Sequence, residues 1–396
     1  MAPPRSGPDP FRPFQPPDMG KSIPAMKLTI ERAALLKALT HVQSVVERRN
    51  TIPILSNVML TAQKGWLGLA ATDMDLTIVE QVDATASRTG STTAPAHTMY
   101  EIVRKLPDGA QVEIETGSDS SLTLRAGRSR FTLQCLPVGD FPQMNDGDLP
   151  HKFQISSNDL KTVIDRTRFA ISTEETRYYL NGIYVHAAKA EGVDVLRGVA
   201  TDGHRLARVE LPLPAGAADM PGVIVPRKTV NELRKLIDEG DSDVDVELSE
   251  TKIRFSLGKV TLTSKLIDGT FPDYERVIPS GNDKMLEVPC AEFSAAVDRV
   301  ATISTEKSRA IKLTLVKNAL TLSATSPDAG SATEEIEVGY GGSPIEIGFN
   351  SRYLLDITQQ ISGADARFLM ADSGSPTVVR DAADESALYV LMPMRV

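Results

Sequence analysis

A threefold internal repeat constrains this chain more than any other feature. A short alternating strand, a polar start and a run of apolar residues at helical spacing follow Lys27, Lys152 and Met285. Later features recur in the same order: a strand pattern (LGLAATD from Leu67, LRGVATD from Leu196), then a second helix that ends near glycine. A repeat of about 120 residues, each with two helices and many strands, predicts three similar α+β units.

The repeat places the units at residues 26–150, 151–283 and 284–396. Residues 1–25 precede them and contain eight prolines, which fit neither a helix interior nor a sheet ladder. We therefore expect this segment to be disordered. It is interpreted as an expression scar or a misassigned start before Met26, with a proline-rich partner ligand as the alternative.

Charge is distributed unevenly along the chain. The whole sequence has 43 Lys and Arg against 52 Asp and Glu, a net charge of −9, which argues against a surface covered with nucleic-acid-binding charge. The six predicted helices have 17 Lys and Arg against 10 Asp and Glu, a net charge of +7. If they share one face, that face would attract a phosphate backbone without reading bases; the alternative is the ordinary preference of helices for Lys and Arg. The six helical windows are 31–49, 98–106, 157–169, 227–237, 292–309 and 351–361.

The composition also argues against several classes of protein. Two cysteines, Cys135 and Cys290, cannot build a disulfide framework or a cysteine-rich metal site, which fits a reducing cytoplasm. There is no run of 18 apolar residues and no apolar leader, so neither a membrane span nor a signal peptide is predicted. No histidine lies at metal-ligand spacing with another histidine or cysteine, and P-loop, GxGxxG and GxSxG motifs are absent from the sequence. The sequence therefore predicts no metal and no cofactor.

Two short motifs are the best candidates for chemistry. TDGHR, Thr201–Arg205, puts Asp, His and Arg within five residues, which could orient a base or bind phosphate. A polar turn capped by the aspartate is the simpler interpretation. TDMD, Thr72–Asp75, offers two carboxylates that could hold Mg²⁺ if they shared a strand face, but a solvated turn is favoured.

The C-terminal sequence YVLMPMRV is unusually apolar for a terminus. Tyr389–Leu391 is typical of a final strand, and Pro393 prevents that strand from continuing in a central ladder. Met392 and Met394 would suit an adaptable peptide-binding surface, because methionine is unbranched and polarizable. A fully buried last strand is the alternative.

The motifs together resemble one family closely. With the triplicated pattern, RYYLNG (Arg177–Gly182), ATDGHRLA (Ala200–Ala207), VPRK (Val225–Lys228), SKLIDGTFPDYERVIP (Ser264–Pro279) and the MPMR tail resemble the bacterial DNA polymerase III β subunit family, the sliding clamps, from Met26 to Val396. The resemblance implies three clamp units, each of two pseudo-symmetric halves with two helices inside and antiparallel sheets outside, and a ring of two chains joined head to tail. It implies a non-enzymatic tether that holds the replicative polymerase on double-stranded DNA.

The resemblance also implies site residues, partners and a location. The implied DNA contacts are Arg49, Arg177, Tyr178, Tyr179, Arg227 and Lys228. The implied peptide pocket comprises Leu180, Thr201, Gly203, His204, Arg205, Leu206, Pro272, Arg276, Val277, Val390, Met392 and Met394, with Tyr353 and Arg395 at its rim. The implied partners are a second copy of the chain, the polymerase α subunit, the clamp loader, translesion polymerases, mismatch-repair proteins and ligase, in the cytoplasm at the nucleoid, with no membrane.

Three details of this interpretation concern individual side chains. In the pocket, Arg205 is expected to hold polar groups of a peptide. At the implied dimer contact, Arg125, Arg128 and Arg130 are expected on one edge strand, opposite Glu334, Glu335 and Glu337 on another, with Ile303 nearby. His97 and Ser308 depart from the residues that the resemblance implies there, a basic residue and an aromatic one, which puts their DNA contact in doubt.

Two other functions stay open at this point. An enzyme that uses Asp202, His204 and Arg205 would act on a polyanion and would lose activity when His204 is changed to Ala. A solenoid-like scaffold without DNA would form an open oligomer that is not retained on circular DNA. The tether is the leading hypothesis.

Overall fold

The computed structural model describes residues 25–117, 119–142, 147–238, 243–304 and 309–396. Nearly all of the proline-rich extension and Ser308 lie outside the described residues. Within the described ranges, no helix is long and apolar enough to span a membrane.

The first repeat has the predicted order of strand, helix, strands, helix and strands. The side chain of Glu31 caps the first helix by accepting a hydrogen bond from Ala34 N (3.0 Å), and the second helix follows Pro95, which has no N–H to satisfy. Its elements are β1 (Lys27–Glu31), α1 (Arg32–Val45), β2 (Asn57–Gln63), β3 (Trp66–Thr72), β4 (Leu76–Asp83), β5 (Thr85–Arg88), β6 (Gly90–Pro95), α2 (Ala96–Arg104), β7 (Gln111–Thr116), β8 (Ser121–Ala126) and β9 (Ser129–Gln134).

The second repeat follows the same order. Ser156 caps its first helix by accepting from Asp159 N (3.0 Å), and Pro226 precedes its second helix. Its elements are β10 (His151–Ile155), α3 (Ser157–Thr167), β11 (Gly182–Ala190), β12 (Val193–Thr201), β13 (Arg205–Pro212), β14 (Val223–Pro226), α4 (Arg227–Ile237), β15 (Val244–Leu248), β16 (Lys252–Leu257) and β17 (Val260–Lys265).

The third repeat exchanges the two kinds of helix start. Pro289 precedes its first helix, and Asn350 caps its second by accepting from Arg352 N (3.0 Å). Its elements are β18 (Lys284–Pro289), α5 (Cys290–Ala301), β19 (Ala310–Val316), β20 (Ala319–Ser326), β21 (Gly330–Glu337), β22 (Gly339–Tyr340), β23 (Ile345–Asn350), α6 (Ser351–Thr358), β24 (Asp365–Met370), β25 (Thr377–Asp381) and β26 (Ala387–Leu391).

All six predicted helices are present, and the largest differences from the windows are at two C-terminal ends. Helix α1 stops at Val45 rather than residue 49, and α5 stops at Ala301 rather than residue 309. Beyond Val45 the residues up to Arg49 include three exposed charged side chains, so burial does not extend the helix there.

The described chain divides into two compact units. The first comprises residues up to Asp148 together with Arg254–Ser264. It contains a five-stranded antiparallel sheet in the order β5-β1-β7-β8-β9 and the antiparallel run β17-β4-β3-β2-β6. Helices α1 and α2 pack against each other, and Leu35, Leu39 and Leu60 are fully buried in the core.

The second unit comprises Leu149–Ile253 and Lys265–Val396. Its nine-stranded antiparallel sheet, in the order β14-β11-β12-β13-β26-β25-β24-β18-β22, joins strands of the second repeat to strands of the third, because the last strand β26 pairs with β13. A four-stranded sheet has the order β21-β20-β19-β23. The last strand therefore lies in the middle of the large sheet, and its C-terminal end is beside the TDGHR turn.

Candidate functional site: an apolar pocket beside the C-terminal tail

The TDGHR motif forms the tight turn between β12 and β13. Thr201 Oγ1 donates to Arg205 O (2.7 Å) and accepts from Gly203 N (3.1 Å), while Asp202 Oδ1 accepts from His204 N (2.9 Å) and Arg205 N (3.0 Å). Gly203 has φ +86°, a conformation that favours glycine. Because the Asp202 carboxylate is occupied by the turn itself, the motif shapes a surface and does not present a catalytic base.

The same network recurs at TDMD in the first repeat. Thr72 Oγ1 donates to Leu76 O (3.0 Å) and accepts from Met74 N (3.1 Å), and Asp73 Oδ1 accepts from Asp75 N (3.0 Å) and Leu76 N (2.7 Å). The aspartates belong to a turn, as favoured from the sequence, and not to one strand face. The match also supports the internal repeat at the level of single hydrogen bonds.

Arg205 fixes the turn to two other elements. Its guanidinium donates from Nε to Asp202 Oδ2 (3.1 Å), from Nη1 to Asp356 Oδ2 (2.5 Å) and from Nη2 to Phe169 O (2.6 Å). It also lies over the Tyr353 ring, 4.3 Å from the centroid. Three of the five N–H groups of Arg205 thus donate within the protein and its side chain is only 9% exposed, so the expectation that it holds polar groups of a peptide stays a prediction.

A buried apolar cluster forms the floor beside the turn. Leu206 on β13 is directly opposite Val390 on β26, and Leu180 and Phe271 pack into the same cluster. Around this floor, Val277 is 49% exposed. The rest of the cluster is Val199, Ile224, Tyr274, Val378 and Leu388, with Tyr179, Tyr184, Ile267, Ile278 and Leu369 partly buried against it.

The tail lies over the edge of this floor. Met392 N donates to His204 O (2.9 Å), and Met394 N donates to Gly348 O (2.8 Å) on β23, so both ends of the Met-Pro-Met segment are held. The Met392 side chain stays 40% exposed. The alternative of a fully buried last strand holds only as far as Leu391. Tail, turn and floor together bring most of the sequence-predicted pocket residues into one place.

The opposite wall is anchored by a buried arginine that the sequence did not indicate. Arg197 on β12 donates to Tyr274 Oη (3.1 Å), Glu275 Oε1 (2.5 Å) and Glu210 Oε1 (2.6 Å). Burial alone would lower the pKa of Arg197, but these hydrogen bonds raise it overall, so the group stays charged. The 3₁₀ turn Tyr274–Val277 that carries Val277 and Arg276 is thereby fixed to the sheet, whereas Arg276 itself is exposed and pairs with Asp273 (2.7 Å).

The predicted DNA-contacting residues of the second repeat lie on adjacent segments. Arg177, Tyr178 and Tyr179 are in the 3₁₀ segment Glu175–Leu180, and Tyr178 is 54% exposed. This segment meets the start of α4, where Arg227 N donates to Asn181 O (2.9 Å). Arg227 is exposed and Lys228 half-buried at the N-terminus of that helix.

Two of the predicted cationic positions carry internal contacts. Arg177 Nε donates to Glu174 Oε2 (2.8 Å), a hydrogen bond that raises the pKa of Arg177, so a phosphate there would have to share the guanidinium. His97 makes ring contacts with Gln43 Oε1 (2.9 Å) and Val46 O (3.0 Å), which occupies both ring nitrogens. Arg49, in the first unit, is exposed in the bend after α1.

The arginines expected on one edge strand are divided between two strands and a turn. Gly127, with φ +56°, forms a tight turn with Arg128, which puts Arg125 on β8 and Arg130 on the edge strand β9, directly opposite each other. The expectation of a single strand is wrong because this turn divides the run. All three arginines are exposed.

The glutamates do lie on one edge strand, β21, but on both of its faces. Glu335 and Glu337 are exposed on one face, while Glu334 is on the other and accepts from Arg299 Nε (3.1 Å). Ile303 is half-buried just after α5.

This chain is similar to known proteins over nearly its whole length. It matches the three domains of the DNA polymerase III beta subunit family, the N-terminal domain at residues 26–145, the central domain at 154–273 and the C-terminal domain at 275–395. A beta sliding clamp of Caulobacter vibrioides is 57% identical over 94% of this chain and 100% of its own length, and that of Escherichia coli K12 is 40% identical over 93% and 100%. Among solved structures, a clamp from Bartonella birtlesii bound to griselimycin superposes with a TM-score of 0.92 at 51% identity, covering 94% of this chain and 100% of that one.

Proposed function

This chain belongs to the DNA polymerase III β subunit family, the β sliding clamps, whose members are processivity factors and not enzymes. On this premise, we propose that two copies close head to tail into a ring around double-stranded DNA and that the pocket docks short apolar segments of partner proteins. We refer to the surface formed by the 201–205 turn, the Leu206–Val390 floor, the 271–277 wall and the Met392–Met394 tail as the docking pocket.

One observation supports the docking pocket above all others: an exposed methionine lies at the end of a buried strand. Met392 leaves β26 immediately after Leu391, which is 1% exposed, yet it keeps 40% of its own surface exposed. A flexible apolar side chain held by its backbone at His204 and left uncovered beside a buried apolar cluster suits an apolar peptide. The solved clamp from Bartonella birtlesii is bound to a ligand, griselimycin.

We propose that DNA is contacted through its backbone and not through its bases. Arg49, Arg227 and Lys228 would contact phosphates, Arg177 would do so while sharing Glu174, and Tyr178 and Tyr179 would lean on the sugar–phosphate chain. Helix α4 has Arg227 and Lys228 at its start, where the backbone N–H groups also favour an anion. A closed ring stays on DNA by topology, so it needs no stronger contacts than these.

The ring itself is inferred from two charged edges. Arg125 has Glu113 directly opposite it on β7, whereas Arg130 on the edge strand β9 has the like charge of Arg125 opposite it and would be stabilised by acidic groups on its open side. The exposed Glu335 and Glu337 on the edge strand β21 of a second copy would supply those groups, with Ile303 nearby. Because the two edges are different surfaces of one chain, the contact is heterologous and must close by rotation.

The implied partners share one requirement, an accessible apolar segment that fits the docking pocket. We propose that they are the polymerase α subunit, the clamp loader, translesion polymerases, mismatch-repair proteins and ligase. We further propose that the protein works in the cytoplasm, associated with the nucleoid.

The double substitution Met392→Ala with Met394→Ala should weaken peptide and polymerase binding by about 10- to 100-fold, because it removes two apolar contacts at the pocket edge. Fluorescence anisotropy with a labelled peptide from the polymerase α subunit measures this. The dimer, followed by light scattering, should not change. Met74→Ala, which removes a similarly exposed methionine in the first unit, is the matched control. Peptide binding that stays at the wild-type level would contradict the docking pocket.

Charge reversal at Arg128 and Arg130, each to Glu, should convert the dimer to monomer at micromolar concentration, because the basic edge would then repel the acidic β21 edge. Light scattering across a dilution series measures the mass. Lys64→Glu with Lys259→Glu changes charge equally at two exposed positions of the same unit and should leave the dimer intact. A stable dimer in the Arg128 and Arg130 variant would disprove the proposed edge pairing.

A further inference from the structure

The apolar floor of the docking pocket extends across the strands on one face of the nine-stranded sheet. Directly opposite residues of antiparallel strands share a face. The pairs Leu206–Val390, Val378–Val390, Leu369–Val378 and Met285–Leu369 therefore form one row across β13, β26, β25, β24 and β18. This apolar row leads from the pocket floor to an exposed methionine.

A second row, which is basic, lies beside the apolar row and is offset from it by two residues in each strand. Arg208 is opposite Leu388, Arg380 is opposite Arg367, and Arg367 is opposite Glu287. Arg208 and Arg380 are two strands apart in this row, with Leu388 between them, and burial lowers the pKa of Arg208. We refer to Arg208, Arg380 and Arg367 as the arginine strip.

The charge of the strip is only partly balanced by the residues around it. Its nearest acceptors are Glu210, 3.4 Å from Arg208 Nε but bonded to Arg197 at 2.6 Å, and Glu287, 3.4 Å from Arg367 Nη2. Over the described ranges of the chain, no carboxylate forms an ion pair with Arg380.

Part of the hydrogen-bonding capacity of the strip is also unused, although Arg367 Nη2 donates to Glu287 Oε2 (3.4 Å). The Nε atoms of Arg208, Arg367 and Arg380 are buried and have no hydrogen-bond partner among the described residues. Two arginines directly opposite on adjacent strands repel each other, and buried donors without acceptors are costly. An anion bound to the guanidinium groups would relieve the charge repulsion.

We propose that the arginine strip binds carboxylate side chains of a partner segment whose apolar residues occupy the docking pocket. This inference rests on the proposed function of that pocket. The strip is one pleat repeat, about 7 Å, from the apolar row, so an extended segment reaches it within two or three residues. Arginine suits carboxylates because its planar fork donates two parallel hydrogen bonds.

A nucleic-acid phosphate fits the position less well than a peptide. Helices α3 and α5 pack on the opposite face of this sheet, where Phe368 meets Phe293 with ring centroids 5.3 Å apart. The proposed phosphate contacts are on the 3₁₀ segment and the start of α4, whereas the strip continues the peptide floor. The strip therefore adds a charge preference to the apolar one: a partner with Asp or Glu beside its apolar motif binds better than one without.

The test uses the docking segment of the polymerase α subunit as a labelled peptide in two forms, flanked on both sides by Asp-Asp or by Asn-Asn. Wild-type protein should bind the Asp form roughly fivefold more tightly than the Asn form at low salt. Arg380→Gln should abolish that preference while leaving binding of the Asn form unchanged. Arg380→Lys should retain part of it, because the charge stays and the fork is lost.

The controls separate this inference from the proposed function. Lys312→Gln removes one positive charge from the four-stranded sheet and should keep the full preference. Arg380→Gln should melt no lower than wild type, because it removes a like-charge pair. Equal binding of the two peptides to wild type overturns the strip but leaves the docking pocket standing, and failure of both to bind overturns both. If Arg380→Gln lowers retention on DNA and leaves the peptide preference intact, the strip serves nucleic acid and the proposal is wrong.

Discussion

Cutting a circular DNA once should release most of the clamp that has been loaded onto it. A closed ring is held by topology, so it slides off a free end as soon as one exists. The direct contacts are too few to prevent this: the chain carries a net charge of −9, and Arg177 already shares its charge with Glu174. The measurement loads labelled protein with a cognate clamp loader and ATP, removes unbound protein, cuts with a restriction enzyme and follows co-elution with DNA.

Two controls make the result specific to threading. A nicking enzyme breaks one strand without creating an end, so the nicked circle should retain the protein. The Arg128→Glu, Arg130→Glu variant should not be retained on either circle if the basic edge closes the ring. Protein that stays bound after the circle is cut would mean binding at a site on DNA, and the tether would then give way to a DNA-binding enzyme or scaffold.

The repeat and the six helices could be predicted from the sequence because each depends on local information, whereas the pocket was predicted only from the resemblance to the sliding clamps. Alternating and helical periodicities record which face of an element is buried, and a cap residue or a proline marks where a helix begins. The TDGHR turn is local as well: its hydrogen bonds join residues within four positions of each other. The internal match at TDMD repeats that geometry.

The long-range partners could not be predicted in this way. Asp356 is 151 residues from Arg205, so nothing near the motif indicated that this guanidinium is already occupied. The arginine strip is a further case, since only the register of four strands brings Arg208, Arg380 and Arg367 into one row. The prediction that Arg125, Arg128 and Arg130 share one edge strand was wrong for a local reason. Their run alternates like a single strand, but a two-residue turn at Gly127 divides it.

Arg205→Ala should destabilise the second unit by about 3 kcal/mol, and its melting temperature should fall by roughly 6–10 °C. The substitution removes a buried cation and leaves the Asp202 and Asp356 carboxylates, which are 17% and 23% exposed, without it. It also leaves Phe169 O without that donor and Tyr353 without the group stacked on its ring. Calorimetry or denaturant unfolding measures the change.

A matched arginine on α6 distinguishes the buried network from general charge loss. Arg352 lies 3.9 Å from the same Asp356 carboxylate but is 65% exposed, so Arg352→Ala should change stability by less than about 0.5 kcal/mol. The loss of stability in Arg205→Lys should lie between those of Arg205→Ala and Arg352→Ala, since one ammonium cannot reach Asp202, Asp356 and Phe169 O at once. If Arg205→Ala unfolds at the same temperature as the wild type, the turn is held by its own hydrogen bonds alone. If it unfolds earlier and also binds the α-subunit peptide less well, Arg205 supports the docking pocket from beneath, because the peptide itself is expected to meet Leu206, Val390 and Met392.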